Sequence, residues 1–405
     1  MRSTDPETAR TAAPLISVVM ANYQAGDKLI PAVESVLGQS LGDLELIICD
    51  DASGDDSLAL AARFARADPR VRVISAERNG GPARCRNRGL DAARGQWIAV
   101  VDSDDIIHPE RFERLLAAAE YRGADIVADD LLHFYEDGSP VSLLLGGEQD
   151  TLFAVTAETW IGAGIDGSPP LGYLKPLIRA DVLGALRYDE GLRIGEDYDL
   201  VLRLLLAGAR MVVVPEPYYL YRRHSGSISH RLAVADLSAM VESQDAMIGQ
   251  LGALPPQLAA AFAARRAQLR DGLAFGRLVE AIKGRHAGQA LSLLAGNPRL
   301  APRLWHSFTE GRSRKAVTAI GRPTPPDTLE LGASGRRVPE YVPIASMDWA
   351  APRPRQAWVE LADLGRGQPV DVICTDEAAR YAAGFIPLAR LSQPAARAEL
   401  REPAE

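Results

Sequence analysis

Gln96-Trp97-Ile98-Ala99-Val100-Val101-Asp102-Ser103-Asp104-Asp105 is the stretch that decides the fold. A short, apolar, partly β-branched run stops abruptly on carboxylates, as a buried strand does when it emerges at a sheet edge. Working upstream, Gly81 to Ala93 has helical spacing, and Pro82 suits its first turn. Before it come a strand at Val71–Ile74 and an Ala-rich helix at Ser57–Ala67, with Ser57 where an N-cap belongs. Glu45–Cys49 is another strand and stops at Asp50-Asp51; Asp27–Leu37 is helical through Leu29, Ile30, Val33, Val36 and Leu37; Ile16–Met20 is the first strand. Downstream, Pro109–Tyr121 is the next helix. This alternation predicts an α/β fold with a mostly parallel, doubly wound sheet. Ligands of such sheets lie beyond the carboxyl ends of the strands, where both acidic clusters fall.

The pattern divides the chain into five parts. Residues 1–14 are polar, have no apolar run of the kind a signal peptide needs, and are expected to be a disordered tail. Residues 15–231 form the α/β domain. Within it, Ile161–Leu171 reads as a flexible loop, Asp181–Leu186 as a short helix and Glu196–Ala207 as an amphipathic helix. Met211–Val214 and Tyr218–Tyr221 read as strands broken by Pro215 and Pro217. Residues 232–297 are Ala-, Leu- and Arg-rich and helical; 298–340 read as a Pro- and Arg-rich linker; 341–405 read as a small accessory unit or tail.

A chain of 405 residues with 47% hydrophobic residues can bury a substantial core. Its net charge of −8 argues against a nucleic-acid partner, which requires a basic footprint. Cys49, Cys85 and Cys374 are scattered and odd in number, so buried reduced thiols are expected rather than a disulfide framework. No run approaches the ~20 apolar residues of a membrane span. A cytoplasmic protein is expected, with the Arg-rich stretch Pro256–Arg285 either lying on the inner face of an anionic membrane or packing on the α/β domain.

Four signals carry chemistry. Asp102-Ser103-Asp104 offers hard oxygen ligands for Mn²⁺ or Mg²⁺, or else caps the following turn. Asp50-Asp51-Ala52-Ser53 ends a strand where a carboxylate can accept hydrogen bonds from a base or a ribose. Glu196-Asp197 begins a helix, where acids are favoured electrostatically and where one carboxylate can serve as a general base. Tyr221-Arg222-Arg223-His224-Ser225-Gly226-Ser227 is a basic, hydroxyl-bearing loop of the kind that closes over a diphosphate, or an ordinary basic loop.

These signals occur in a fixed order, together with Ile16-Ser-Val-Val-Met-Ala-Asn22-Tyr23, Val36-Leu-Gly-Gln39-Ser40, Asn79-Gly-Gly-Pro-Ala-Arg-Cys-Arg86-Asn87 and Gly195-Glu196-Asp197-Tyr198-Asp199-Leu200. From Leu15 to Arg231 the sequence resembles the family 2 glycosyltransferases of the GT-A fold, in particular those of bacterial exopolysaccharide and cell-surface glycan synthesis. The resemblance implies a nucleotide-diphosphate-sugar-binding (Rossmann-like) domain followed by a mostly helical extension. It implies that Ala21 and Tyr23 line the base pocket, Asp51 bonds the base, Asp102 faces the ribose and Arg86 contacts the nucleotide. Asp104 and His224 would hold Mn²⁺ or Mg²⁺, and Asp197, with Glu196 beside it, would be the catalytic base. The implied activity is inverting transfer of one sugar from a nucleotide diphosphate sugar, with uridine as the base, to a hydroxyl of a glycan or lipid-linked acceptor. Sugar choice would fall to the segments around Ile161–Leu171 and Leu174-Lys175-Pro176. The QxxRW block and membrane helices of polymerising relatives are absent from the sequence.

Two other nucleotide enzymes are disfavoured, because Asn22-Tyr23-Gln24-Ala25-Gly26 after the first strand is neither a GxGxRxxP-type nor a GxGxxG loop. The competing reading from another class is a non-catalytic nucleotide-sugar-binding or scaffold protein.

Overall fold

The computed structural model describes residues 13–136, 139–146, 150–223, 232–305, 328–331 and most of 339–386. The expected tail 1–14 and linker 298–340 therefore lie largely outside the described residues.

The first half alternates as the sequence demands. It comprises β1 (Ile16–Asn22), α1 (Leu29–Leu37), β2 (Leu44–Asp50), α2 (Ser57–Ala67), β3 (Val71–Ser75), α3 (Pro82–Ala92) and β4 (Trp97–Val100). Strands β1 and β2 are buried almost throughout, so their sequences are near-continuous apolar runs. A short β5 (Ile106–Ile107) and α4 (Arg111–Arg122) follow, then β6 (Ile126–Tyr135), β7 (Ser142–Leu143), β8 (Phe153–Val155), α5 (Ala157–Gly162), β9 (Leu177–Arg179), α6 (Ala180–Leu183), α7 (Glu196–Leu206) and β10 (Met211–Arg223).

The main sheet runs β3-β2-β1-β4-β9-β6-β10-β5. Strands β3, β2, β1 and β4 are parallel, as expected. The far half corrects the mostly parallel expectation. Strand β9 is antiparallel to both β4 and β6, and β5, β7 and β8 also pair antiparallel. These strands are two or three residues long, too short to carry the periodicity from which a strand is read.

Three local expectations change. Ser57 opens α2 but does not cap it; the Asp55 carboxylate accepts from the Ser57 amide at 3.1 Å instead. Ile161 does not begin a loop, because it and Trp160 are fully buried in α5, which Thr156 caps by accepting from the Thr159 amide. Pro215 and Pro217 do not break β10. They sit where its pairing with β6 shifts register between Val214 and Tyr219, a bulge that absorbs their missing N–H donors.

Helices α8 (Val234–Leu251), α9 (Pro256–Lys283) and α10 (Ala287–Gly296) form the helical extension. Met247, Leu258 and Phe262 join the main core, so α8 and α9 are packed on the α/β domain. Two of the arginines that suggested a membrane face are turned elsewhere: Arg265 lies on Tyr198 and Arg266 pairs with Asp245. Among the described residues no helix is long and apolar enough to cross a membrane. Further along, Trp349, Trp358 and Tyr381 also enter the main core. Arg355 makes a buried ion pair with Asp130 at 3.0 Å, and Arg353 pairs with the buried Glu216. The described part of 341–405 is thus docked on the sheet through aromatic rings and buried charge.

Candidate active site

Parallel register aligns the ends of three strands. Asn22 faces Asp50 across β1 and β2, and Val19 faces Val100 across β1 and β4, so Asp50-Asp51 and Asp102 emerge at one edge. A cleft of about 1080 Å³ opens there. Ala21, Tyr23, Asp51 and Arg86 line it, as do Asp102, Asp104, Glu196 and Asp197. The fold therefore brings together every expected site residue except His224, which lies outside the described residues.

The two carboxylates at the end of β2 face opposite ways. Asp50 turns inward, where its Oδ1 accepts from Asn22 at 2.7 Å and its Oδ2 from the Ser53 amide. Asp51 turns toward the cleft. Its Oδ2 accepts from the Gly80 and Gly81 amides, both at 2.8 Å, and its Oδ1 from Arg88 Nη2 at 2.8 Å. Gly81 has φ +85°, a left-handed conformation that glycine adopts without strain, and this presents its amide to Asp51 at the start of α3. Asp51 thus ties the loop before α3 to the end of β2, with lone pairs to spare for a further donor.

The turn after β4 is held from β10. The Tyr219 hydroxyl donates to Asp105 Oδ2 at 2.8 Å and accepts from the Asp102 amide at 3.1 Å. The Arg222 amide donates to Asp105 Oδ1, and Arg222 Nε donates to the Asp104 carbonyl, both at 2.7 Å. Asp105 is buried beneath the turn. Burial and the neighbouring charges of Asp104 and Asp102 push its carboxyl well above the ordinary range.

Asp102 and Asp197 meet through two buried cations. Lys175 Nζ lies 2.9 Å from Asp102 Oδ2 and 2.7 Å from Asp197 Oδ2. Arg86 Nη2 lies 2.8 Å from Asp102 Oδ1; its Nη1 lies 2.6 Å from Glu196 Oε1 and 3.5 Å from Asp197 Oδ1. Three carboxylates and two cations form one continuous network. Gly195, at φ +92°, lets the chain turn into α7 so that Glu196 and Asp197 reach this network. A β-carbon there would also lie 2.9 Å from Met240 Cε.

Electrostatics follow from that arrangement. Partial burial works against the Asp102 charge, but Lys175 and Arg86 outweigh it and hold the carboxyl well below its ordinary value. Burial likewise opposes the Lys175 charge, yet Asp102 and Asp197 raise its pKa well above the ordinary lysine value. Glu196 goes the other way: burial, and then the charge on Asp197, raise it despite Arg86 and Lys175.

The sequence reading singled out neither Arg88 nor Tyr219; it placed Lys175 only within a segment for sugar choice and Arg222 only within a basic loop expected to close over a diphosphate. Lys175 sits in an irregular segment before β9. It is fixed from behind by the fully buried Arg111, which pairs with Asp129 and donates to the Lys175 carbonyl. Nothing local in Leu174-Lys175-Pro176 signals this. Arg86 and Glu196 also acquire a definite placement, as each other's counter-ions.

Comparisons with known proteins bear on the family and the fold. The model of glycosyl transferase family 2 matches residues 17–154. The succinoglycan biosynthesis protein ExoO of Rhizobium meliloti (strain 1021) is 35% identical over 77% of this chain and 94% of its own length. Glycosyltransferase GlyG of Streptococcus pneumoniae serotype 4 is 31% identical over 53% of this chain and 72% of its own. Among solved structures, S. aureus TarS 1-349 in complex with UDP-GlcNAc superposes with a TM-score of 0.51 at 18% identity, covering 70% of this chain and 91% of that one, a likeness of fold. With the acidic strand ends, the cleft and this kinship in agreement, the chain belongs to the family 2 glycosyltransferases and is a glycosyltransferase of GT-A fold.

Proposed function

We propose that the chain is an inverting transferase that moves one sugar from a uridine diphosphate sugar to a hydroxyl of a glycan or lipid-linked acceptor during bacterial polysaccharide synthesis. The observation that carries the reading is the Lys175 bridge between Asp102 and Asp197. It couples the strand end where a nucleotide sugar binds in α/β sheets to a carboxylate suited to remove the acceptor proton. Exopolysaccharide synthesis is supported by the relative named for succinoglycan biosynthesis, and uridine by the TarS complex of the same fold.

Each residue then has a task. Ala21, Tyr23 and Asp51 bind the base, and Asp102 faces the ribose. Asp197 accepts the proton of the attacking hydroxyl, whose oxygen bonds to the anomeric carbon as the diphosphate departs from the opposite face. That single displacement inverts the centre. Lys175 and Arg86 hold the two oxygens of Asp197 in one orientation, and Glu196 anchors Arg86.

The residues present fit a divalent cation at Asp104. Asp104 lines the cleft beside Asp102, which Arg86 and Lys175 engage, and Asp105, which Tyr219 and Arg222 hold. Among the described residues no cluster of three or more metal-ligating side chains occurs. Mg²⁺ is often held by one or two carboxylates together with substrate phosphates, a pattern this donor set suits, and His224 is the candidate second ligand. Bound there, the cation would neutralise charge on the leaving diphosphate.

Calorimetry with UDP, GDP, ADP and CDP, with and without Mn²⁺, on wild type and Asp104→Ala tests the reading. Metal-dependent binding of UDP that the substitution abolishes is expected. Binding of no nucleotide under either condition would favour the scaffold reading. Nucleotide binding without sugar transfer or donor hydrolysis would favour a non-catalytic nucleotide-sugar-binding protein.

A further inference from the structure

The helical wall of the cleft carries a cation that the donor chemistry leaves unused. Arg265, on α9, lines the same cleft as Asp197. Its guanidinium carbon lies 3.6 Å from the centroid of the Tyr198 ring. That ring in turn stacks on fully buried Trp160, with centroids 5.8 Å apart and planes 20° from parallel. The indole N–H of Trp160 donates to the Tyr198 carbonyl at 3.1 Å, which locks the platform. From the other side, Phe262 anchors α9 in the core and Gln268 donates to the Gly164 carbonyl.

Arg265 differs from the cations around it. Arg266 pairs with Asp245, Arg193 with Asp236 and Arg203 with Asp199. Among the described residues the Arg265 guanidinium makes no hydrogen bond or ion pair, and its Nε is buried without an acceptor. Burial lowers its pKa, with the Tyr198 and Asp199 charges opposing. A largely desolvated cation without a counter-ion is costly. An arginine laid flat on an aromatic face keeps its N–H edge available for bidentate capture of a carboxylate or phosphate. Its platform, Tyr198, is the residue next to Asp197. The nucleotide end of the cleft, by contrast, is lined by residues of β1, α3 and the strand-end turns.

We propose that Arg265 is an acceptor-binding residue that receives an anionic group, carboxylate or phosphate, on the molecule whose hydroxyl is glycosylated. The assignment rests on the reading of Asp197 as the base, since that is what makes this side of the cleft the acceptor side.

The test uses the full chain and three probes, D-glucuronate, D-glucose 6-phosphate and D-glucose, titrated by calorimetry with and without UDP into wild type, Arg265→Gln and Arg265→Lys. At least one acid should bind wild type about tenfold more tightly than glucose, the size of one charge-assisted hydrogen bond. Arg265→Gln should fall to the glucose level, Arg265→Lys should keep part of the preference, and UDP affinity should be unchanged in both. Whichever acid is preferred identifies the source of the negative charge. Equal binding of acids and glucose by wild type, or an acid preference that survives in Arg265→Gln, overturns the proposal. So does a fall in UDP affinity, which would move Arg265 to the donor site. Arg265-dependent acid binding in a chain that binds no nucleotide would sink the donor reading and leave the anion subsite standing.

Discussion

The sheet edge carries two acidic turns that look alike in sequence and behave differently in the fold. The Asp50-Asp51 turn is satisfied from within the first half of the fold: Asn22, the Ser53 amide, two glycine amides and Arg88 donate to its carboxylates. The Asp102–Asp105 turn draws largely on the second half. Tyr219 and Arg222 of β10 hold its underside, and Lys175 and Arg86 bind Asp102 and carry its charge on to Asp197. A carboxylate held by backbone amides is a fixed acceptor. One shared between two buried cations belongs to a network whose members depend on one another. On the proposed function, the first turn recognises the base and the second couples the donor and acceptor sides.

Substitutions can break that contrast, and the largest effect should come from the far end of the network. Asp197→Asn should lower the rate of sugar transfer by roughly 10²–10⁴-fold, as loss of a general base does, while UDP affinity by calorimetry stays near wild type. Loss of nucleotide binding along with transfer would show that the two turns are not separable. Next, Lys175→Met leaves Asp102 and Asp197 bridged by Arg86 alone. Chemical denaturation should register about 3 kcal/mol of lost stability, the lower end for a broken buried pair because both carboxylates keep some contact with solvent. Asp51→Asn places an amide among three donors and should cost about 1–3 kcal/mol, with weaker UDP binding. The transfer rate at saturating donor should change little; a fall as deep as that of Asp197→Asn would erase the distinction between the turns.

The smallest effect is a pH dependence. The Asp102 carboxyl is held below its ordinary value of 3.8 in the folded protein. Its contribution is therefore present above the unfolded value and is lost as pH falls toward the folded one. Melting temperatures of wild type and Asp102→Asn should differ most near neutral pH and converge as the pH drops below about 4. A gap that stays constant through acid would mean that charge on Asp102 contributes nothing to stability.

Much of this was legible in the sequence because the signals are local. The apolar runs before Asp50 and Asp102, the helical spacing between them and the Ala-rich helices after Arg231 fix period and burial directly, and parallel register then places the acidic ends together. The ordered blocks from Ile16 to Leu200 carried the family, and with it the choice of Asp197 over the other acids at helix starts. What the sequence could not supply is which distant segments close over the edge. Lys175 lies in an irregular segment without periodicity, and its position is set by Arg111 and Asp129 from beneath. Strand β9 is three residues long, and its antiparallel entry follows from the path of the preceding loop. Arg265 reads as one of several arginines on a basic helix until Tyr198 and Trp160 are stacked beneath it. The sequence by itself determined the alternating sheet, its acidic edge and the helical extension, because hydrophobic periodicity and strand ends are written in neighbouring residues. Only the tertiary structure decided the charge network, the cation on the helical wall and the docking of Trp349, Trp358 and Tyr381, because ion pairs and ring stacks between remote segments depend on chain paths that no local pattern encodes.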